Sequence, residues 1–256
     1  CGAGIHHPPP RFEFRSGQAE PFEKLHGILG KYKPDDRKNE LPAGFFCGGW
    51  VGYFSYELGR YIERLPETTT DDLGMPLIRL CFYDRLIAYD HDSKEFLLIA
   101  LELPGDDAKP DDKLRELEDL LAQAERISAP TPKPADLDDI DLTRFRCNMD
   151  RDYYLRMLDR IKRYIFDGDV YQINFSQRFD CDFTGEAIDL FHWQNRYNPS
   201  GYSAYIDGGD FTIVSASPEM FLTINDRSIS TKPIKGTRRR IGKADGSGDQ
   251  AELLNE

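Results

Sequence analysis

Apolar residues recur every three or four positions in four segments of the chain, which is the spacing of one face of an α-helix. In the best-marked segment the stripe follows Asp150, and aspartate commonly caps a helix N-terminus. Gly168 ends that segment. The stripes are Phe22, Leu25 and Leu29; Leu114, Leu117, Leu121 and Ala124; Tyr154, Leu158, Ile161 and Ile165; and Ala187, Leu190, Trp193 and Tyr197. The pattern predicts four helices.

Other segments have the short apolar runs and polar turns that are typical of strands. Residues 76–90 and 94–103 predict two strands that form an antiparallel hairpin around the polar turn at 91–93. The glycine-rich segment 45–66 begins as a strand and becomes helical near Tyr56, and another strand is predicted at 202–207. Helices and antiparallel strands together predict an α+β fold.

The segment 170–179 alternates with a period of two, so we predict a strand. One face carries Tyr171, Ile173, Phe175 and Phe179, and the other carries Gln172, Asn174, Ser176 and Arg178. The polar face has two interpretations. It is a solvated face of an antiparallel sheet, or it is the wall of a polar pocket, because amides supply both donors and acceptors without charge.

A second hairpin is predicted from the runs 211–224 and 228–237, which are separated by a polar turn. If Asp226 and Arg227 form a two-residue loop, Glu219 lies opposite Ile234 and beside Lys235. Prolines on both strands remove ladder donors and predict bulges. Lys235 and Glu219 then form an ordinary cross-strand ion pair, or Lys235 is a nucleophile whose pKa its surroundings lower.

Composition narrows the classes of function. Lys and Arg number 33 against 45 Asp and Glu, a formal net charge of −12, which argues against broad binding to nucleic acid or anionic membranes. No apolar run is long enough to span a membrane, and no signal segment opens the sequence. The five cysteines form no C-x-x-C pair, so a reducing cytoplasm is expected.

Pro130, Pro132 and Pro134, together with acidic residues, predict a linker over residues 130–142. It separates an N-terminal region, 1–129, from a second region, 143–256. The sequence starts at Cys1, and its last residues, AELLNE, are typical of the first turns of a helix. We therefore expect the chain to be a fragment.

Four motifs, in this order, resemble the chorismate-utilising enzymes, and within them the aminodeoxychorismate synthases. They are GGWVGYFSYELGR at 48–60, GDVYQINFSQRF at 168–179, SASPEMF at 215–221 and PIKGTRRR at 233–240. The resemblance implies an α+β fold of antiparallel sheets packed in a sandwich with helices outside. It covers nearly the whole chain.

Two positions of the resemblance indicate the reaction. Lys235 stands where anthranilate synthases carry alanine, and Gln172 stands where isochorismate and salicylate synthases carry a lysine that activates water. The resemblance implies that Lys235 attacks C2 of chorismate, that Glu219 is the acid/base residue, and that ammonia adds at C4. Four residues are expected to bind substrate: Gln172, Ser217, Gly236 and Thr237.

The resemblance also implies a magnesium ion, chorismate as substrate, and ammonia from a separate glutaminase subunit. The Mg²⁺ ligands are expected beyond Glu256, with none in this chain, so the fragment alone is predicted to be inactive. The segment Ser200-Gly201-Tyr202 departs from the Pro-Phe or Pro-Tyr of relatives, which puts the tryptophan pocket of the family in question. The alternatives are an anthranilate synthase component I and a non-catalytic binding or scaffold protein.

Overall fold

The computed structural model describes residues 10–32, 45–103, 105–128, 131–134, 140–225 and 227–234. The chain divides into two compact units, Cys1–Pro130 and Thr131–Glu256. We call them unit 1 and unit 2. The finer division, with a linker over 130–142, stays a prediction.

Unit 1 combines a three-stranded antiparallel sheet with a separate antiparallel pair. The sheet has the order β1-β3-β2, and β4 pairs with β5. The strands are β1 (Arg11–Phe14), β2 (Gly49–Phe54), β3 (Ile78–Tyr83), β4 (Arg85–Asp90) and β5 (Glu95–Ala100). The helices are α1 (Pro21–Lys31) and α2 (Pro110–Ala124), with a 3-10 helix at Tyr56–Tyr61.

The two predicted helices of unit 1 are confirmed, as are the β4–β5 hairpin and the change from strand to helix near Tyr56. The single strand predicted over 76–90 is wrong, because it breaks at Asp84 into β3 and β4. The backbone carbonyl of Asp84 accepts the amide of Leu101 at 2.7 Å, and its carboxylate contacts the ammonium of Lys113 at 2.8 Å. These contacts fix Asp84 between two different sheets.

The core of unit 1 lies between the three-stranded sheet and the 3-10 helix. Its buried members are Phe14, Leu58, Leu77, Ile78 and Leu80. The four-residue β1, which supplies Phe14, is absent from the pattern-based predictions. In β2, a Cβ on Gly52 would lie 1.9 Å from the carbonyl oxygen of Arg79, so the close approach of β2 to β3 requires glycine there.

Unit 2 contains three antiparallel pairs in its described part: β6–β7, β8–β9 and β10–β11. The strands are β6 (Arg146–Cys147), β7 (Phe179–Asp180), β8 (Tyr202–Asp207), β9 (Thr212–Ser217), β10 (Met220–Asn225) and β11 (Ser228–Lys232). The helices are α3 (Arg151–Phe166) and α4 (Ala187–Tyr197), with a 3-10 helix at Leu142–Arg144.

Helix α3 begins and ends where the sequence predicts. The carboxylate of Asp150 accepts the amide of Tyr153 at 2.6 Å, which confirms the N-cap. Gly168 follows the helix with a φ of 80°, in the left-handed region that glycine adopts without a steric penalty. The predicted helix α4 and strand β8 are confirmed as well.

The strand predicted over 170–179 is wrong for most of its length. Only its end belongs to a described pair, in which Phe179 lies opposite Cys147. The ring of Phe175 instead stacks on Tyr154 of α3, with centroids 5.4 Å apart and an interplanar angle of 14°. The segment therefore returns along α3, and the period-two pattern does not correspond to a ladder.

Candidate active site around Glu219

The predicted β10–β11 hairpin is confirmed in its register near the turn. Asn225 lies opposite Ser228, and Ile224 lies opposite Ile229, as a two-residue loop requires. An irregularity between Met220 and Thr223 then shifts the pairing, so that Met220 lies opposite Lys232. A bulge of this kind re-aims the side chains that follow it.

The long strand predicted over 211–224 is wrong in one respect, since it ends and restarts at Pro218-Glu219. Strand β9 ends at Ser217 and pairs with β8, whereas β10 begins at Met220 and pairs with β11. Proline has no amide to donate to a ladder, which favours a break at Pro218. Glu219 therefore lies where the chain passes from one two-stranded sheet to the next.

The carboxylate of Glu219, just before β10, contacts the chain just after β11. Its Oε1 atom accepts the backbone amide of Ile234 at 3.1 Å, and the residue as a whole is half-buried. Ile234 is the residue before Lys235 in the sequence. The predicted proximity of Glu219 to Ile234 is thus present as a hydrogen bond. Lys235, Gly236 and Thr237 lie outside the described residues, and their roles stay predictions.

Ser217 lies in the same turn as Glu219. Its Oγ donates to the backbone carbonyl of Glu219 at 3.2 Å. The hydroxyl proton is therefore used within the turn, whereas its oxygen lone pairs can still accept a hydrogen bond from a ligand. The predicted role of Ser217 in substrate binding stays a prediction.

Gln172 is exposed, and its Nε2 atom donates to the Oδ1 atom of Asn174 at 3.1 Å. Residues two apart lie on the same side of an extended chain. The contact therefore fits a segment that is extended but not paired with a strand of a described sheet. The structure brings together Ser217 and Glu219, but the hydrogen bond of Gln172 is local. Its predicted role in binding substrate rests on the sequence.

Two donors, one in α4 and one in the segment after it, contact the strand that leads to Glu219, and the sequence patterns assign neither of them to the site. Gln194 Nε2 donates to the carbonyl of Ser215 at 2.7 Å, and Ser200 Oγ donates to the carbonyl of Ser217. Carbonyls two residues apart in a strand point to the same side. Both side chains therefore donate to the same edge of β9, at the carbonyls of Ser215 and Ser217. Such contacts join distant parts of the chain, and no local pattern indicates them.

The described residues contain no group of three or more His, Cys, Asp or Glu side chains arranged to hold a metal ion. The predicted dependence on Mg²⁺, with ligands beyond Glu256, stays a prediction. No helix within the described ranges is both long and apolar enough to cross a membrane.

Unit 1 has a cavity of about 630 Å³ whose lining includes Ser55, Arg60, Thr69 and Asp71. The guanidinium of Arg60 is held there by Glu57 at 2.7 Å and by the hydroxyl of Thr69 at 2.9 Å. The lining residues lie between Ser16 and Leu77, so none of the predicted site residues belongs to this cavity.

Unit 1 also contains a fully buried ammonium, that of Lys113. It contacts the carboxylates of Asp84 and Asp106 and donates to the carbonyl of Leu101 at 2.8 Å. Burial raises the pKa of Asp84, but the hydrogen bonds and charges of Arg85 and Lys113 outweigh it, so the pKa lies below its ordinary value. These charges connect α2 with the β3–β4 junction.

Comparison with known proteins identifies the family of this chain. Residues 6–256 match the family described as chorismate binding enzyme. The chain belongs to the chorismate-binding enzyme family. The resemblance carried by the four motifs is therefore confirmed at the level of the family.

The relatives include two kinds of enzyme. The chain is 36% identical over 210 residues to anthranilate synthase component 1 of Thermus thermophilus, covering 82% of this chain and 43% of the relative. It is 30% identical over 224 residues to aminodeoxychorismate synthase component 1 of Bacillus subtilis, covering 87% of this chain and 46% of the relative. The chain thus spans less than half the length of these relatives, and overall identity does not separate the two reactions.

Among solved structures, the crystal structure of anthranilate synthase component I from Streptococcus pneumoniae is similar, with a TM-score of 0.68 and 24% identity. The match covers 87% of this chain and 51% of that chain. It confirms the predicted α+β fold class.

Proposed function

We propose that the chain forms part of an enzyme that aminates chorismate at C4 to give 4-amino-4-deoxychorismate. The observation that carries the proposal is the hydrogen bond from the Ile234 amide to the Glu219 carboxylate, at 3.1 Å. It holds a carboxylate at the residue that precedes Lys235, where an acid/base group beside a nucleophile is useful. Lysine in the PIKGT motif supports aminodeoxychorismate synthase over anthranilate synthase.

In the proposed reaction the Lys235 amine forms a bond to C2 of chorismate while the C4–O bond breaks. Glu219 in its acid form gives a proton to the departing hydroxyl, which leaves as water. Ammonia then forms a bond to C4, the bond between Lys235 and C2 breaks, and Glu219 takes up a proton. A covalent intermediate divides one difficult substitution into two easier steps.

The proposal includes a glutaminase partner that supplies ammonia, Gln172 and Thr237 as substrate contacts, and a location in the cytoplasm. Among the described cysteines, Cys81, Cys147 and Cys181 are free thiols, which supports a reducing compartment. Dependence on Mg²⁺ is expected from the resemblance alone.

The test uses the protein that carries this chain, produced from its own coding sequence, with chorismate and ammonium. Product analysis by mass spectrometry should detect 4-amino-4-deoxychorismate, which retains the enolpyruvyl side chain. Lys235→Ala should lower its formation by at least about a hundredfold, the scale expected for loss of a covalent nucleophile. An adduct on Lys235 should accumulate when ammonia is withheld.

The matched control is Lys232→Ala, since Lys232 is an exposed lysine on β11 close to the same position. It should leave the rate within about twofold, as expected for a surface substitution. Unchanged turnover in Lys235→Ala would mean that Lys235 is only a surface cation and not the nucleophile.

Formation of anthranilate, which is fluorescent, would instead support the second candidate, anthranilate synthase component I. The relative from Thermus thermophilus is a protein of that name. Binding of chorismate without turnover would support a non-catalytic protein.

A further inference from the structure

A line of hydrogen bonds runs from the segment after α4 to the residue before Lys235. The Ser200 hydroxyl donates to the Ser217 carbonyl, and the Ser217 hydroxyl donates to the Glu219 carbonyl at 3.2 Å. The amide of Ile234 donates to the Glu219 carboxylate at 3.1 Å. Each link fixes one end of the next, so the backbone and the side chain of Glu219 are both constrained.

The constraint matters because Pro218 interrupts the ladder beside Glu219. At that position the chain leaves the β8–β9 sheet before it enters the β10–β11 sheet, so ladder hydrogen bonds alone do not set the orientation of the turn. Side-chain donors satisfy the backbone acceptors instead, as buried or half-buried carbonyls require. Ser200 therefore donates a hydrogen bond to the carbonyl of Ser217, at the end of β9, in place of a bond from a neighbouring strand.

We propose that Ser200 is a positioning residue that holds the Glu219 carboxylate in the orientation that its acid/base role requires, and this role rests on the proposed function. Ser200 does not touch the reacting atoms in this account. It acts through Ser217 and Glu219, and its effect appears in the rate of the chemical step more than in the binding of substrate. Misplacing a catalytic group by a fraction of an ångström reduces kcat because the reaction depends on alignment.

The same segment offers a matched control. Ser203 lies three residues further along the chain, in β8, and its Oγ is shielded from solvent without a hydrogen-bond partner among the described residues. Both Ser200→Ala and Ser203→Ala remove one hydroxyl from the same neighbourhood. Only the first removes a donor to the turn that carries Glu219. Ser200→Thr restores the hydroxyl and serves as the rescue.

In the protein that carries this chain, Ser200→Ala should lower kcat about tenfold and change KM for chorismate by less than about twofold. Ser200→Thr should recover to within about threefold of wild type. Ser203→Ala should match wild type in both quantities.

Activity is not the only readout. Hydrogen exchange of the Ile234 amide, measured by NMR, should become about fivefold faster in Ser200→Ala and stay unchanged in Ser203→Ala, because only the first loosens the acceptor of that amide. Equal exchange and equal kcat per folded molecule in the two variants would overturn the proposal, even if Ser200→Ala lowered the melting temperature.

The outcome is separable from that of the proposed function. If the wild-type protein forms anthranilate, the proposed reaction is wrong, and the ratio of kcat between the two serine variants is measured on anthranilate instead. If no turnover occurs, the exchange of the Ile234 amide still decides between a coupled and an uncoupled Ser200. A faster exchange in Ser200→Ala alone supports the positioning role, and equal exchange contradicts it.

Discussion

Unit 1 and unit 2 use their apolar residues in different ways. Among the described residues, all nine buried hydrophobic side chains lie in unit 1, from Phe14 to Leu117. In unit 2, helix α3 is amphipathic but buries none of its residues, and Ile224 and Ile229 on the β10–β11 hairpin are each 67% exposed. Unit 1 therefore has a fully buried apolar core, whereas the described part of unit 2 has no fully buried hydrophobic side chain.

The difference separates two kinds of experiment. Substitutions in unit 1 report on the stability of the fold, whereas substitutions around Glu219 in unit 2 report on chemistry. The chain has two tryptophans, and each unit contains one of them: Trp50 in unit 1 and Trp193 in unit 2. In the 256-residue chain, replacing either one by phenylalanine leaves one tryptophan, which reports on the unfolding of the unit that contains it.

The largest effect is expected from Lys113→Met in unit 1. The substitution leaves the carboxylates of Asp84 and Asp106 without their shared cation, and removing one partner of a buried ion pair costs about 3–5 kcal/mol. Urea unfolding followed by Trp50, with Trp193→Phe as background, measures the loss. Lys109→Met, at an exposed lysine just before α2, should lose less than about 0.5 kcal/mol. Equal losses in the two variants would mean that the ammonium of Lys113 has no special role in unit 1.

A smaller effect, one that depends on pH, is expected from Asp84→Asn. At neutral pH the variant should be less stable by about 1–2 kcal/mol, because a carboxylate bound to two cations is replaced by a neutral amide. The pKa of Asp84 in the folded state lies below its ordinary value. Its stabilising contribution is therefore complete above about pH 5 and decreases as the pH falls through the folded-state pKa.

Unfolding of wild type and Asp84→Asn between about pH 3 and pH 7 tests the sign of this dependence. The difference in unfolding free energy should be constant from about pH 5 upward and should shrink in acid. A difference that stayed constant across the whole range would contradict the assignment of the charge interactions to Asp84.

The smallest effect is expected on the exposed face of unit 2. Ile224→Thr should change the stability reported by Trp193 by about 0.5 kcal/mol or less, as is usual for exposed positions. The matched substitution in unit 1 is Ile99→Thr, at a side chain that is 5% exposed, where a loss of about 2 kcal/mol or more is expected. A loss at Ile224 as large as that at Ile99 would break the comparison, because it would mean that the hairpin face is covered in the full protein.

The sequence predicts well those elements whose signals are local. Helix α3 begins at its predicted cap, and the two-residue loop sets the register of the β10–β11 hairpin, since both depend on neighbouring residues. The strand predicted at 170–179 fails for the opposite reason. An extended chain alternates its faces whether or not a partner strand is beside it, so the period of two predicts conformation and not pairing.

The candidate site shows the same limit. The closeness of Glu219 to Ile234 follows from the turn, and the prediction agrees with the hydrogen bond between them. The break at Asp84 depends on which strands lie alongside, and the donors Gln194 and Ser200 come from α4 and from the segment after it. Such contacts between distant parts of the chain carry no period, and they are seen only once the fold is known.

The contact between Glu219 and Ile234 has a consequence for how this part of the protein tolerates change. The Glu219 carboxylate accepts its hydrogen bond from the backbone amide of residue 234, and every residue except proline has such an amide. The side chain at position 234, 57% exposed in Ile234, can therefore vary without altering the bond that sets the carboxylate. The surface at position 234 can therefore change in shape and polarity while the hydrogen bond that orients the Glu219 carboxylate is preserved.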